Sequence, residues 1–253
     1  MWFLGNSRLI LGTARYRSPK VLLESIRKSK VEIVTVSLRR ETRGEGFWKY
    51  LSSFPVKILP NTAGCRTVQE VIMIAEMARE IFKTSWVKVE IIGDEYTLQP
   101  NTLELVRACE ELIKREFIVF PYITEDLVIA KSLVDIGCKI LMPWGAPIGT
   151  GKGLSNIDAM RTMRARLPGT VLIVDAGIGS PSQACRIMEM GFDGVLVNTA
   201  VAIAEDSPSM AEAFSKAVES GRKAWKSGLM IVRDLAEPST PLLDAPFFHG
   251  DGK

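Results

Sequence analysis

The amino-acid sequence predicts an α/β fold, a single (β/α)8 barrel of the TIM-barrel type. The chain has 253 residues, and roughly 250 residues are typical of this fold. Eight short runs rich in β-branched residues alternate with longer segments of helical spacing, the pattern of a parallel sheet with helical crossovers. An open doubly wound sheet of this length usually has fewer strands, so a closed barrel is favoured.

Each predicted strand is a short apolar run that ends near polar or turn-forming residues. The eight runs, in chain order, are Arg8–Leu11, Val31–Val36, Val56–Leu59, Val87–Ile92, Phe117–Pro121, Lys139–Pro143, Val171–Asp175 and Gly194–Asn198.

Start and stop signals mark the helices between these runs. A serine followed by proline suits the cap and first turn of a helix, and a glycine after the last turn ends it. The predicted helices open at Ser18-Pro19, run from near Thr124 to Gly137, run from Ser180-Pro181 to Gly191, and run from Pro208 to about Gly228.

Two segments resist a regular assignment. Gly44 and Gly46 interrupt any helix in Arg40–Pro55, where a loop is at least as compatible with the sequence. The last residues are rich in proline and glycine. We therefore predict a barrel domain over residues 1–236 and an irregular tail over residues 237–253.

Composition and charge exclude several classes of protein. Apolar residues make up 47% of the chain, charged residues 24%, and the net charge is +3, as in an ordinary globular protein without a nucleic-acid or membrane partner. The four cysteines have no C-x-x-C spacing, and the only histidine, His249, lies in the tail, so neither a disulfide framework nor a metal site is expected. The apolar start of the chain lacks the basic segment that opens a secretory signal peptide, so we expect a cytoplasmic protein.

The segment with the most chemical information is residues 86–92. A strand alternates its faces, so Lys88 and Glu90 share one face while Val87, Val89 and Ile91 share the other. Parallel barrel strands are normally apolar on both faces, so two charges in the lumen need an explanation. One is a buried ion pair, which stabilises little. The other is a lysine that attacks a carbonyl, with Glu90 moving protons.

A third candidate for catalysis is Asp175, which ends the apolar run at 171–175. Catalytic residues of this fold lie at the carboxyl ends of strands. The alternative is that Asp175 only caps the following turn, because aspartate is common in turns.

The turns after the last two predicted strands suit a phosphate group. Gly177 and Gly179 allow the backbone to come close to a ligand, and Ser180-Pro181 begins a helix whose free N–H groups attract an anion. Asn198 and Thr199 follow the eighth strand, and many barrels bind phosphate with the loops after strands seven and eight.

Three further patterns have interpretations without chemistry. The glycine-rich segment 145–153 could cover the barrel mouth or be a plain flexible loop, and it is not a P-loop because Gly153 follows Lys152. The basic cluster of Arg39, Arg40 and Arg43 is interpreted as a solvated face. A row at helical spacing, formed by Met73, Met77 and Ile81, is predicted to belong to the core.

Seven segments in order resemble bacterial thiazole synthase, and the resemblance covers essentially the whole chain. They are Leu11–Ala14, Leu59–Gly64, Val87–Gly93, Phe117–Tyr122, Ala146–Gly151, Val174–Pro181 and Gly194–Ala200. The sequence departs from the family's pattern in loops, at Glu41–Tyr50, Asp94–Thr97, Trp144 and Lys152.

The resemblance implies a sulfur-incorporating transferase of thiamine biosynthesis that needs no cofactor. Its substrate would be 1-deoxy-D-xylulose 5-phosphate, held as an imine on Lys88, with Glu90 and Asp175 as acid–base groups. Dehydroglycine and a ubiquitin-like sulfur carrier protein, bearing a C-terminal thiocarboxylate, would be the other reactants. A homotetramer is expected. The phosphate contacts carried over from the family are Gly149, Ala176, Gly177, Asn198 and Thr199, to which the glycine turn adds Gly179.

Two alternatives remain open at this stage. The first is another barrel enzyme that forms a Schiff base with a sugar phosphate, such as an aldolase or a lyase, because the fold does not fix the function. The second is a phosphate-binding paralogue without turnover.

Overall fold

A computed structural model describes residues 5–38, 51, 54–237 and 239–240 of the chain. Its parallel strands form a closed barrel in which each strand pairs with the next one along the chain and the last pairs with the first. The predicted fold class is therefore confirmed. The strands are β1 (Leu9–Gly12), β2 (Ile33–Ser37), β3 (Lys57–Asn61), β4 (Trp86–Val89), β5 (Ile118–Ile123), β6 (Ile140–Pro143), β7 (Val171–Asp175) and β8 (Gly194–Val197).

All eight predicted strands are present, and β7 matches at both ends. The largest difference is at β4, which was predicted to continue to Ile92 but ends at Val89. Just beyond this end, the Glu90 backbone bonds a side chain: its N–H donates to Thr62 Oγ1 at 2.8 Å, and its carbonyl accepts from the same hydroxyl at 2.8 Å. The side chain of Thr62 thus replaces a strand neighbour at this point.

The helices of the described ranges cover the outside of the barrel. Seven of them begin after a Ser, Thr, Asn or Asp whose side chain accepts a backbone N–H of the first turn, the usual way to satisfy these donors. They are α1 (Pro19–Ser29), α2 (Val68–Phe82), α3 (Thr102–Lys114), α4 (Leu127–Asp135), α5 (Ile157–Arg166), α6 (Pro181–Glu189), α7 (Thr199–Ala202) and α8 (Ser207–Ser227).

The sequence signals located these helices well. Ser18 and Ser180 cap α1 and α6 as predicted, and Gly228 follows the end of α8. The helix expected from near Thr124 begins at Leu127, because Asp126 provides the cap.

The apolar core has two parts. Inside the barrel lie side chains such as Ile10, Phe120 and Ile173, and between barrel and helices lie side chains such as Val87, Val89 and Ile91. The alternation predicted for β4 is therefore confirmed, with its apolar face under the helices and its charged face in the lumen.

One core prediction was wrong. Met73, Met77 and Ile81 are 56%, 48% and 51% exposed. Their spacing places them on one face of α2, but the face against the barrel carries residues such as Val71 and Ala75. Helical periodicity identifies residues that share a face and does not determine which face is buried.

Several predictions fall wholly or partly outside the described ranges. Most of the segment 40–55 does so, as do Arg39, Arg40, Arg43 and His249. Of the tail predicted over 237–253, the structure describes residues 237, 239 and 240. Among the helices of the described ranges, none combines the length and apolar character that crossing a membrane requires.

Candidate active site

A cavity of about 490 Å³ opens at the carboxyl ends of the strands, where enzymes with this fold bind their substrates. The sequence-predicted site residues converge there although they come from four separate loops and strands. All nine line it: Lys88, Glu90, Gly149, Asp175, Ala176, Gly177, Gly179, Asn198 and Thr199.

The polar centre of the cavity is a lysine held between two carboxylates. Lys88 Nζ lies 3.0 Å from Glu90 Oε1 and 2.5 Å from Asp175 Oδ2. The three side chains are 7%, 9% and 4% exposed, so water screens their charges very little. The sequence suggested Lys88 and Glu90 as a pair, and the structure adds Asp175 as the second partner of the lysine.

The barrel strands fix these three residues in space. Lys88 is paired with Asn61 of β3 and Phe120 of β5. The hydroxyl of Thr62, which is fully buried, binds the Glu90 backbone on both sides. Asp175 is the last residue of β7, and its carbonyl accepts from the N–H of Gly145 at 3.2 Å. The charged groups therefore rest on rigid strands and their first turns.

Burial and charge act in opposite directions on this centre. Burial lowers the pKa of Lys88, but the charges and hydrogen bonds of Asp175 and Glu90 outweigh it, so the pKa is raised above its ordinary value. Burial raises the pKa of Asp175, and the neighbouring Lys88 ammonium only partly offsets this. Lys88 is thus held as an ammonium ion, and Asp175 accepts a proton more readily than an ordinary aspartate.

The glycine turn after β7 forms one wall of the cavity. Ala176 and Gly177 have positive φ values of 70° and 72°, and a Cβ atom on Gly177 would lie 2.5 Å from Ala146. The N–H groups of Gly179 and Ser180 are already bound, because both donate to Gln183 Oε1, at 2.7 and 3.2 Å. The amides expected to be free at the start of α6 are therefore partly engaged within the protein.

The turn after β8 forms the adjacent wall. With its amide nitrogen directed toward β1, Asn198 donates to the carbonyls of Gly12 and Ala14 at 3.2 and 2.9 Å. A Cβ atom on Gly12 would lie 2.5 Å from Asn198 Cβ, so glycine is needed for this close approach. Thr199 begins α7, and the first amides of a helix have no acceptor within it.

The glycine-rich segment 145–153 closes the third side. Ile148, Gly149, Thr150 and Gly151 all line the cavity, which supports the interpretation that this segment covers the mouth. Its end is tied to the β7 turn because Gly153 N–H donates to the carbonyl of Gly177 at 2.7 Å.

Sequence reasoning missed Tyr122, which lies beside the charged centre. The ring centroid of Tyr122 is 5.4 Å from Lys88 Nζ, and its ring also contacts Trp144 edge to face at 6.5 Å. Burial, followed by the charges of Asp175 and Glu90, raises the pKa of Tyr122 well above its ordinary value, so the phenol stays protonated. Alternation along β5 contained the signal, since Tyr122 follows the lumen residue Phe120 by two positions.

Across the described ranges, no group of three or more His, Cys, Asp or Glu side chains is arranged to hold a metal ion. The four cysteines are free, and three of them are buried.

Sequence comparisons agree on one family. The family model described as "Thiazole biosynthesis protein ThiG" matches residues 4–241. The chain is 55% identical to a thiazole synthase from Rhodopseudomonas palustris over 248 residues, which cover 96% of this chain and 95% of the relative. It is 52% identical to a thiazole synthase from Coxiella burnetii over 254 residues, with 98% of each chain covered.

A solved structure has the same architecture. The chain resembles one in the crystal structure of the Amycolatopsis orientalis BexX/CysO complex with a TM-score of 0.82 and 25% sequence identity, over 91% of this chain and 95% of the other.

Proposed function

Because the chain belongs to the ThiG family of thiazole biosynthesis proteins, we propose that it is a thiazole synthase that works through an imine on Lys88. Its reactants are 1-deoxy-D-xylulose 5-phosphate, dehydroglycine and the thiocarboxylate of a sulfur carrier protein. The product is the thiazole phosphate moiety of thiamine, and the reaction is that of a sulfur-incorporating transferase. Membership of this family identifies an enzyme of thiamine biosynthesis and favours neither the aldolase nor the non-catalytic alternative.

The observation that carries this proposal is the position of Lys88 Nζ between two buried carboxylates in the cavity. Stability alone is a weak reason for such an arrangement, because desolvation of the three charges offsets much of their attraction. A lysine that forms an imine needs both a proton acceptor and a proton donor within reach. Asp175 and Glu90 supply these functions.

The first steps follow from the geometry. Lys88 passes a proton to Asp175, whose raised pKa favours acceptance, and the free amine attacks the ketone carbon of the sugar. The proton returns as water leaves, and the protonated imine takes the place of the ammonium between the carboxylates. Glu90 then removes a proton from the neighbouring carbon, and the electron pair moves to the imine nitrogen. The product is an enamine that still carries a hydroxyl group on the neighbouring carbon. Glu90 returns its proton to the carbon bonded to nitrogen, and the hydroxyl group passes its own proton to a carboxylate of the centre. A new carbonyl is thereby formed, which the thiocarboxylate sulfur attacks.

The phosphate of the substrate is placed against the glycine-rich walls. Gly149, Ala176 and Gly177 provide backbone at close approach, and Asn198 and Thr199 begin the short helix α7 beside them. Gly179 contributes by its lack of a side chain, since its amide is bound to Gln183. Backbone amides at such turns attract an anion without adding a fixed charge.

The same proposal includes a protein partner, a homotetramer and a cytoplasmic location. The BexX structure is that of a complex with a second protein, which supports the docking of a carrier on this barrel. A sulfur atom delivered by a carrier requires no reactive cysteine in the barrel, and three of the four cysteines are buried.

Borohydride trapping followed by mass spectrometry tests substrate and nucleophile together. With 1-deoxy-D-xylulose 5-phosphate the protein should gain the mass of the sugar phosphate less one oxygen atom, on a peptide that contains Lys88. Lys88→Ala and Lys88→Arg should both lose this adduct. The arginine variant keeps a cation between the carboxylates. Loss of the adduct in this variant is therefore not caused by a failure to fold.

Lys152→Ala is the matched control, because Lys152 lies in the loop at the cavity mouth and its removal should leave the adduct intact. An adduct that persists in Lys88→Arg would refute the assignment of the nucleophile. Trapping without any thiazole product, when dehydroglycine and the carrier thiocarboxylate are supplied, would favour another Schiff-base enzyme instead.

A further inference from the structure

The side chain of Gln183 joins two walls of the cavity. Its Oε1 accepts from the N–H groups of Gly179 and Ser180, at 2.7 and 3.2 Å, and so completes the capping box at the start of α6. Its Nε2 donates to the carbonyl of Gly151 at 3.2 Å. One amide group therefore links the turn after β7 to the glycine-rich loop after β6.

These two walls lie in backbone contact. A Cβ atom on Gly179 would lie 2.6 Å from the carbonyl oxygen of Gly151, and one on Gly153 would lie 2.9 Å from Gln183 Cδ. Both distances are shorter than real Cβ contacts. The absence of side chains at Gly179 and Gly153 thus lets the amide of Gln183 fit between the loops.

The ends of the glycine-rich segment, Gly145 and Gly153, are bonded to the turn after β7, but few bonds hold the residues between them. Among the hydrogen bonds of the described residues, the one from Gln183 to Gly151 alone connects residues 146–152 to the rest of the chain. Gly149 and Gly151 have positive φ values of 79° and 67°, and glycine has more backbone freedom to lose than any other residue. A single external bond in such a loop has a large share in fixing its position.

We propose that Gln183 is a positioning residue that sets the distance between the Gly149–Gly151 wall and the Ala176–Gly177 turn, and so fits the cavity to a phosphate group. This inference rests on the proposed function, because it takes the substrate to be a sugar phosphate. Gln183 itself does not line the cavity. It acts through the two walls that do.

Two substitutions separate the bonds that its oxygen accepts from the bond that its nitrogen donates. Gln183→Glu keeps an oxygen for the N–H groups of Gly179 and Ser180 but loses the donor to Gly151, and glutamate is a normal third residue of a capping box. Gln183→Ala loses all three hydrogen bonds and adds no charge. Glu70→Ala is the matched control, since Glu70 accepts from Arg66 N–H at 2.6 Å at the start of α2 and does not line the cavity.

The readouts are the half-saturating concentration and the limiting rate of borohydride trapping. In both Gln183 variants the half-saturating concentration of the sugar phosphate should rise about three- to tenfold, as expected for loss of the hydrogen bond to Gly151, which the two variants share. The limiting rate, and the half-saturating concentration of unphosphorylated 1-deoxy-D-xylulose, should stay as in the wild type. Glu70→Ala should change none of these values.

Hydrogen exchange separates a failure of this inference from a failure of the proposed function. Amides of residues 145–155 should exchange faster in both Gln183 variants, whether or not the sugar phosphate is the substrate. Three results would overturn the positioning role. They are unchanged exchange rates in the variants, an equal rise in the half-saturating concentrations of the phosphorylated and unphosphorylated sugars, and an effect seen only in Gln183→Glu. If the wild-type protein forms no adduct at all, the proposed function fails, and the role in phosphate fit fails with it.

Discussion

At the scale of single residues, the chemistry depends on where one proton resides. Asp175 and Glu90 hold Lys88 as an ammonium ion and raise its pKa, whereas attack on a ketone needs the free amine. Because burial raises the pKa of Asp175, transfer of the proton to this carboxylate costs less than transfer to an aspartate of ordinary pKa. In the proposed mechanism, the two carboxylates then stabilise the positively charged imine as they did the ammonium.

The variant Asp175→Asn should move the pH dependence of imine formation to lower pH. With one carboxylate gone, the pKa of Lys88 falls, and the free amine appears at lower pH, by about one to three pH units for a charge this close. The plateau rate should also fall, because no acid remains at this position to return the proton as water leaves. The measurement is the initial rate of borohydride trapping across neutral to alkaline pH.

The exposed pair of Asp158 and Arg161, 3.8 Å apart, offers a control for this experiment. Asp158→Asn removes the same charge from the surface and should leave the profile unchanged. A profile of Asp175→Asn that stays in place or moves to higher pH would show that Asp175 does not set the pKa of Lys88.

At the scale of elements, helix α8 packs against both α1 and α6. It thus connects the first helix of the chain to a helix near its end. Helix α8 comes close to α6 at Gly221, where a Cβ atom would lie 2.3 Å from the carbonyl oxygen of Cys185 and 2.9 Å from Met188 Cβ. A glycine in a helix interior normally costs stability. Here it permits the contact between the two helices.

Gly221→Ala should therefore destabilise the protein although alanine favours the helical backbone. The methyl group forces α8 away from α6, and overpacking of this kind costs about 1–3 kcal/mol. Gly169→Ala, where no atom lies within 4 Å of the added Cβ, should change the free energy of unfolding by less than about 0.5 kcal/mol. Urea unfolding measures the free energy of unfolding of both variants. Equal changes in the two would mean that α8 can move away from α6 without loss of stability.

The same scale shows what the sequence could predict. Strand β7 was placed at both ends because an apolar run and an aspartate mark it, and α6 was placed by its serine and proline. Met73 was misplaced because the sequence does not tell which of two apolar rows on α2 faces the barrel. Lys88 and Glu90 were singled out because charge is unusual in a barrel lumen, and Asp175 because it ends an apolar strand; the structure brings the three side chains together. Gln183 was missed because its contact with Gly151 depends on how two loops meet.

At the scale of the whole molecule, the barrel closes where β1 pairs with β8, and a charge cluster lies at the amino ends of these strands. Asp193 Oδ2 accepts from Arg164 Nη1 at 2.8 Å and from the N–H of Leu172 at 3.1 Å. Arg8 Nη1 lies 3.7 Å from Asp193 Oδ1, and Arg222 Nη2 lies 4.0 Å from the same atom. The carboxylate of Asp193 thus forms ion pairs with three largely buried guanidinium groups from separate parts of the chain.

Removal of the Asp193 carboxylate should lower the free energy of unfolding of the barrel without changing the reaction at the cavity. In Asp193→Asn three arginines lose the carboxylate that they share, and loss of one partner from a buried ionic cluster costs about 3–5 kcal/mol. Urea unfolding should show this loss, whereas Asp158→Asn, at an exposed ion pair, should stay within about 1 kcal/mol of the wild type. Trapping of the sugar phosphate should persist under native conditions, because the cavity lies at the opposite end of the strands. If Asp193→Asn were as stable as Asp158→Asn, the cluster would have no part in closing the barrel. Loss of trapping in a folded Asp193→Asn variant would show that the amino and carboxyl ends of the barrel strands are coupled.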